Sequence, residues 1–573
     1  MSSSSPSTGS TRDPLFNSQL HDSSCRIRSL TTILQGLKDC GPATKSNAIP
    51  DFLNHLTTLL TCGDKYDGDA KKVIAVTGAQ FEEGFRTLVV TQNPYATQKL
   101  EGLLKVRKIT REEDRTSEEV MKGAIGVPLQ EHIKDIITML SSDLPCEGDS
   151  DFDDFCQFVV ARCFRKLRVR VRQDKVLYER VFDTLHKWRP KDELDLPIMK
   201  VAQPTWTKRH DMILGGRFKP TKEEGVTYWE FSKDTIRDWA QFLAWILMKL
   251  DSAVTAVHDI YSSQTEIDGK IYFHVHVLCR ELYYFLGLED GYIVKTLLKK
   301  ATGAFRLRDT NLGASDEDIE KEIETDMRRE EQETMATFVF RYLKTVVSWH
   351  TAIFTLLQEP RTKVLATSVT VGLIEVYPQT KEVTPLAELE REYHRRFPLA
   401  NDQERSNMMS VLEKHYKPAF TGSIHAEATL MGLLNYYSQN ATVPLPRDVV
   451  DAPDLLRELF VPTTERAIAV SKKCCWCCQR LGELLEPNIS LPGTHGILFA
   501  WNPPFVGIDA EVLEILEHEL WSKLRQHLRN GAFSTTHSRH SSGSSPKARR
   551  IVQREPHPEH KEKIDEANPW FMS

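Results

Sequence analysis

The chain has 573 residues, several times the length of a typical domain, so two to four domains with cores of their own are expected. Lys and Arg total 74 against 80 Asp and Glu, a formal net charge of -6. This excludes the global basic surplus of a nucleic-acid coat protein, and any nucleic-acid contact would need a local patch.

The start, MSSSSPSTGSTRDP, is Ser-rich without an apolar core, and no run of about 18 apolar residues occurs. These features point away from a conventional secretory signal and from membrane association, and towards an intracellular protein of cytoplasm or nucleus. Residues 1–25 read as a disordered polar tail, and residues 532–573, rich in Ser, His and charge, as another. Lys547, Arg549 and Arg550 in the second tail read as solvated rather than as a localisation patch.

Residues 26–360 read as a mostly α-helical region of unassigned function, possible protein partners among its roles. Ile236, Trp239, Phe242, Leu243, Ile246, Leu247 and Leu250 recur at spacings of three and four, the stripe of a core-facing helix over 234–260. The run Asp316 to Leu343 begins charge-dense and ends apolar, as a long surface helix with a buried end would. Arg162, Arg165, Lys166, Arg168, Arg170 and Arg172 could follow a phosphate backbone, although Asp151, Asp153 and Asp154 lie near enough to pair with them. His274 and His276 with Cys279 and Glu281 invite a metal reading, but their apolar setting favours a buried structural role.

From residue 361 to 531 strands alternate with helices, the pattern of an α/β layered sheet. Val364 to Val376 is rich in β-branched residues, as a buried strand or hairpin would be, and a charged helical insert follows to about Lys414. A helix over 425–438, a strand over 466–471, a helix over 475–485, a strand over 495–501 and a helix over 509–529 complete the series.

Chemistry concentrates here. Ser423 reads as the N-cap of the first of these helices, which places His425 and Glu427 in its first turn, facing whatever lies beyond the helix end. The chain's eleven cysteines are scattered except for Cys474, Cys475, Cys477 and Cys478, which open the helix after a short buried strand. A Cys-x-x-Cys at a helix N-terminus lies near unpaired backbone N–H groups and the positive dipole end, which favours thiolate and zinc binding. Two registers are open, Cys474 with Cys477 or Cys475 with Cys478.

One imidazole and two thiolates give three ligands and leave a fourth tetrahedral position for water, which zinc activates at neutral pH. Glu427, not itself a ligand, would take the water's proton and deliver it to leaving ammonia. This is the zinc-deaminase arrangement, whose signature is H-x-E followed by P-C-x-x-C.

The stretch from Ser423 to Trp501 resembles the deaminase-like superfamily. Val470-Ser471-Lys472, then Cys475-x-x-Cys478, then Gly493-Thr494-His495-Gly496 leading to Trp501, is similar to the OTT-type deaminases numerous in fungi. The resemblance implies a cytidine-deaminase-like α/β C-terminal domain behind the large helical region. It selects Cys475 and Cys478 with His425 as zinc ligands and Glu427 as proton shuttle. The departure is Cys474, where the superfamily has Pro.

The expected reaction is zinc-dependent hydrolytic deamination of a cytosine- or adenine-type base, free or polymeric. Trp501 is a candidate for stacking on that base, worth about 1 to 3 kcal/mol where it occurs; His495, Asn435 and Tyr436 are weaker pocket candidates. The rival expectation is a catalytically silent, zinc-stabilised scaffold for protein partners. A thiol redox role would leave His425 and Glu427 unexplained.

Overall fold

The structure is a computed structural model that describes residues 14–37, 49–62, 73–81, 84–92, 104–110, 116–123, 125–141, 150–172, 177–190, 195–204, 207, 218, 220–261, 269–307, 333–358, 369–376, 382–460, 466–485 and 489–529. Its strands in chain order are β1 (Ile74–Phe81), β2 (Gly84–Gln92), β3 (Leu104–Ile109), β4 (Met199–Ala202), β5 (Thr221–Glu223), β6 (Val226–Phe231), β7 (Thr370–Val376), β8 (Arg466–Ala467), β9 (Ala469–Val470) and β10 (Ile489–Ser490). The helices before β7 are α1 (Pro14–Ile33), α2 (Asp51–Leu60), α3 (Ser117–Met121), α4 (Leu129–Ser141), α5 (Ser150–Arg172), α6 (Val181–Lys187), α7 (Ile236–Tyr261), α8 (Gly269–Gly287), α9 (Tyr292–Ala301), α10 (Met335–Val346) and α11 (Ser348–Gln358). After it come α12 (Leu386–Arg396), α13 (Asp402–His415), α14 (Ala426–Gln439), α15 (Pro453–Leu459), α16 (Trp476–Leu485) and α17 (Ala510–Arg529).

Side chains alternate across a strand, and the main sheet uses that alternation to serve two cores. Its order is β3-β7-β2-β1-β9. Ile74, Val76, Leu88, Val90, Ile109, Val371 and Leu373 face a core built with α2, α4, α5, α7, α8, α10 and α11. Their neighbours Ala75, Val89, Leu104, Val106, Ile374 and Val376 face a second core with α1, α14, α16 and α17. A sheet covered on both faces explains why β7 reads as a nearly continuous apolar run.

Three of the five main strands thus come from residues 74–109, inside the region expected to be helical. β2 pairs in parallel with β7 and β3 pairs antiparallel with β7, so the middle of the sheet joins segments some 270 residues apart. The helical region from α3 to α11 is an insertion between β3 and β7, packed on one face of the sheet. A small sheet of order β4-β6-β5 also lies within it.

The first 25 residues also differ from expectation. α1 starts at Pro14, and its later turns bury Ile27, Leu30, Ile33 and Leu34 against the second core. The apolar stripe begins too late for the Ser-rich start to betray the helix. The expected helix over 234–260 is α7; it is long and apolar enough to cross a membrane by length and composition, but 61% of its most apolar window is buried inside the fold. Of the expected helix from Asp316 to Leu343 only the part in α10 falls within the described residues, as do none of Lys547, Arg549 and Arg550.

The basic run lies on α5, where several of its members have partners. Arg162 is fully buried against Asp135, its Nη2 donating to Oδ2 at 2.7 Å. Arg170 sits over the Trp349 ring at 4.1 Å and donates to Ser348 Oγ, and Arg172 lies 3.7 Å from Asp251.

Candidate active site

Two helix N-termini meet in the second core. α14 begins at Ala426 with His425 as its N-cap residue (φ -80°, ψ 146°), two residues later than the expected cap. Ser423 instead bridges Trp501, and its carbonyl accepts from the Asn502 N–H. α16 begins at Trp476, fed by β9, and Ser471 anchors the join: its N–H donates to the Ile74 carbonyl while its Oγ accepts from the Ile74 N–H. Cys475 therefore occupies the cap of α16, and its sulfur accepts from the Cys478 N–H at 3.4 Å.

His425 Nδ1 lies 3.4 Å from Cys475 Sγ and 3.4 Å from Cys478 Sγ. Zn–S bonds near 2.3 Å and Zn–N bonds near 2.1 Å at a tetrahedral angle give an N···S edge of about 3.6 Å, so both N···S separations are close to those of a zinc tetrahedron. Glu427 Oε1 is 3.6 Å from the same Nδ1, and its Oε2 is buried without a hydrogen-bond partner. His425, Glu427, Cys475 and Cys478 all present ligand-type atoms within 4.8 Å of one another. Cys474 and Cys477 are buried but stand outside this group, Cys474 being held through its backbone by Gly493 and His495.

The electrostatics suit a cation. Burial would favour a neutral imidazole, but the Cys475 thiolate and the Glu427 carboxylate hold the His425 pKa well above its ordinary value. Burial likewise opposes charge on Cys475, yet hydrogen bonds from Cys477 and Cys478 and the His425 charge bring its thiol well below the usual range. Burial and the Cys475 thiolate push Cys477 and Cys478 well above theirs. Zinc binding requires a neutral imidazole and two thiolates, and a divalent cation favours that state at this cluster. The donor set and the partnerless Glu427 oxygen both fit such an ion.

The site lies in a deaminase domain. Residues 424–505 match the family model described as OTT_1508_deam-like deaminase. No curated protein and no solved structure matches the chain.

Within the deaminase domain, the cavity beside the four residues has a volume of about 20 Å3. Lys472, Lys473, His495 and Phe499 line it, together with Val73 from the start of the N-terminal hairpin. His495 is oriented by accepting the Ile497 N–H at Nδ1 and by an edge-on contact with Phe499. The other three pocket candidates lie elsewhere. Trp501 is completely buried in the second core, with its backbone N–H donating to Thr31 Oγ1 and its carbonyl accepting from that hydroxyl. Asn435 points at the loop before α17, donating to the Gly507 carbonyl at 2.8 Å, and the neighbouring Tyr436 packs edge-on against Tyr437.

The expected strand over 495–501 is replaced by single bridge residues at Thr494, Ile497 and Trp501. Gly493 and Gly496 take positive φ (88° and 73°), and the Thr494 hydroxyl accepts the Gly496 N–H, so local bonds displace the ladder. Lys472 and Lys473 were legible in principle, since they join the strand to the cysteine pair. Val73 carried no signal, because its neighbours in the site lie some 350 to 430 residues further along the chain.

Proposed function

We propose that the chain is a zinc-dependent hydrolytic deaminase acting on a cytosine- or adenine-type base in a nucleotide or nucleic acid, in cytoplasm or nucleus. The observation that carries this reading is Glu427, a buried carboxylate beside three ligand atoms with one oxygen unpartnered. A closed structural site has no use for such a group, whereas hydrolysis of an amidine needs a proton carrier there.

His425, Cys475 and Cys478 would hold the metal. Zinc supplies Lewis acidity, which makes water nucleophilic at neutral pH. Glu427 accepts the water's proton and returns it to the departing amine, so that ammonia leaves as the ring carbonyl forms. Lys472 and Lys473 at the cavity rim offer positive charge to an anionic substrate such as a nucleotide or a polynucleotide. Phe499 and His495 give the cavity an aromatic wall.

A second reading has an observation of its own. A cavity of about 20 Å3 holds one water rather than a base, and His425 and Glu427 are almost wholly buried. This favours a silent, zinc-stabilised scaffold whose helical insertion binds protein partners. Ammonia release over a panel of free bases, nucleosides, nucleotides and single-stranded DNA and RNA, with wild type and Glu427→Ala side by side, separates the two. Loss of about 10²- to 10⁴-fold in Glu427→Ala with zinc content retained supports the enzyme. Equal silence in both proteins on every substrate supports the scaffold.

A further inference from the structure

The helical insertion holds a second group of metal-type ligands, remote in sequence from the deaminase domain. Cys156 on α5, His276 on α8 and His350 on α11 are all buried and offer ligand atoms within 4.8 Å of one another. They line a cavity of about 10 Å3 whose remaining wall includes Val159, Leu167 and Ile353. Three helices thus direct one sulfur and two imidazoles to a single point.

His350 is the independent observation. It is 5% exposed, and neither Nδ1 nor Nε2 has a hydrogen-bond partner. Its ring is held by edge-on contacts with Phe152 at 6.2 Å and Tyr283 at 5.0 Å. A buried imidazole that serves only as packing is poorly matched to such a position, since a Phe would fill the space without desolvating two ring nitrogens.

His276 is prepared in a different way. Its Nε2 lies 3.0 Å from Asp153 Oδ1, an oxygen that also accepts from Arg280 Nη1 at 2.7 Å. This is the carboxylate–histidine arrangement that orients a metal-binding imidazole and raises its basicity. The rings of His276 and His350 have centroids 5.8 Å apart. Two imidazoles on one tetrahedral zinc have centroids about 5 Å apart, so small side-chain rotations close the set.

We propose that Cys156, His276 and His350 form a second zinc site, structural in character, which ties α5, α8 and α11 together inside the insertion. The small volume admits an ion and at most one water, and the apolar wall leaves no room for a substrate. One thiolate and two imidazoles suit zinc over the hard cations magnesium and calcium. The proposal stands apart from the deaminase reading, because no residue is shared between the two sites.

The test is zinc stoichiometry on the full chain after exhaustive dialysis against a weak chelator, by elemental analysis. Wild type is expected to retain about two equivalents, Cys475→Ala with Cys478→Ala about one, and His350→Phe about one. His350→Phe keeps the packing of the ring and so guards against a fold lost for steric reasons. In the Cys475→Ala, Cys478→Ala protein, zinc X-ray absorption should show one sulfur and two nitrogens. His350→Phe retaining the wild-type zinc content, or wild-type zinc vanishing entirely with Cys475 and Cys478, would overturn the proposal. A His350→Phe protein that melts higher than wild type with unchanged zinc would show a packing role instead.

Discussion

Gly432 fixes the distance between α14 and the loop that precedes α17, and Gly432→Ala tests whether that distance sets the site. A Cβ built on Gly432 would lie 2.3 Å from the Val506 carbonyl oxygen, whereas real Cβ atoms essentially never come within 3.0 Å. Helix and loop would have to part by at least about 0.7 Å. Overpacking of this kind costs about 1 to 3 kcal/mol. Parting also strains the Asn435 to Gly507 hydrogen bond of 2.8 Å. Its loss inside the core adds about 1 to 3 kcal/mol, for an expected total of roughly 2 to 6 kcal/mol. The N-terminus of the same helix carries His425 and Glu427, and a displacement near 1 Å at a reacting centre costs about 10²-fold in rate. Urea denaturation reads the first effect, and chelator competition for zinc with ammonia release reads the second. Gly287→Ala is the control, because nothing lies within 4 Å of the Cβ it would add. If Gly432→Ala unfolds at the wild-type urea concentration and keeps wild-type zinc affinity, the close approach does not position the site.

Two further expectations concern the insertion. Arg162→Met should lose about 3 to 5 kcal/mol, because it strips the cation from a buried Asp135, while Arg162→Met with Asp135→Leu should recover most of that loss; equal destabilisation in the single and double variants would show that the pair is not coupled. His132, fully buried with Nε2 against the Leu59 carbonyl, has its pKa lowered to about 3, by burial first and then by the nearby Arg162 charge. Since the unfolded chain takes up that proton near pH 6.5 and the folded chain does not, stability present above that pH should fall by about 1.4 kcal/mol per unit between there and about 3. Urea titrations at a series of pH values check this, and an unchanged slope in His132→Phe would refute it.

The sequence displayed what depends on local pattern and hid what depends on distant pairing. α7 was legible because its stripe is a property of some 25 consecutive residues; the meeting of His425 with the cysteine motif was expected because each motif opens its own helix, while the choice of Cys475 and Cys478 came from the family resemblance. The β1–β2 hairpin was not, although both strands are rich in β-branched residues. It draws its stability from β7 and β9, far along the chain, so the long helical stretch around it dominated the local reading. Trp501 attracted a substrate role because aromatic side chains suit both stacking and cores. Burial decided for the core, and only the partner helix α1, whose Thr31 clasps the Trp501 backbone, reveals it. The cavity rim shows the same division: Lys472 adjoins the cysteine motif in sequence, whereas Val73 arrives through the fold.

That division bears on what can fold alone. A fragment of residues 361–531 contains the whole family match and all four clustered residues, and sequence pattern alone presents it as a domain. In the fold, however, its strand β7 is flanked on one side by β2 and on the other by β3, both outside the fragment. Removing them exposes both edges of an apolar strand and takes Ala75, Val89, Leu104 and Val106 out of the core they share with α14. The absence of α1 also uncovers α17, whose buried Glu517 would lose the Arg26 guanidinium now 2.8 Å away. An unpaired apolar strand is a template for aggregation, so the fragment is expected to be insoluble or to unfold without a cooperative transition. Co-expression with residues 14–110 should restore solubility and zinc binding, because that piece carries α1, the hairpin, β3 and Val73. A fragment of 361–531 that alone melts cooperatively and binds one equivalent of zinc would show that the hairpin decorates the deaminase domain rather than forming its sheet.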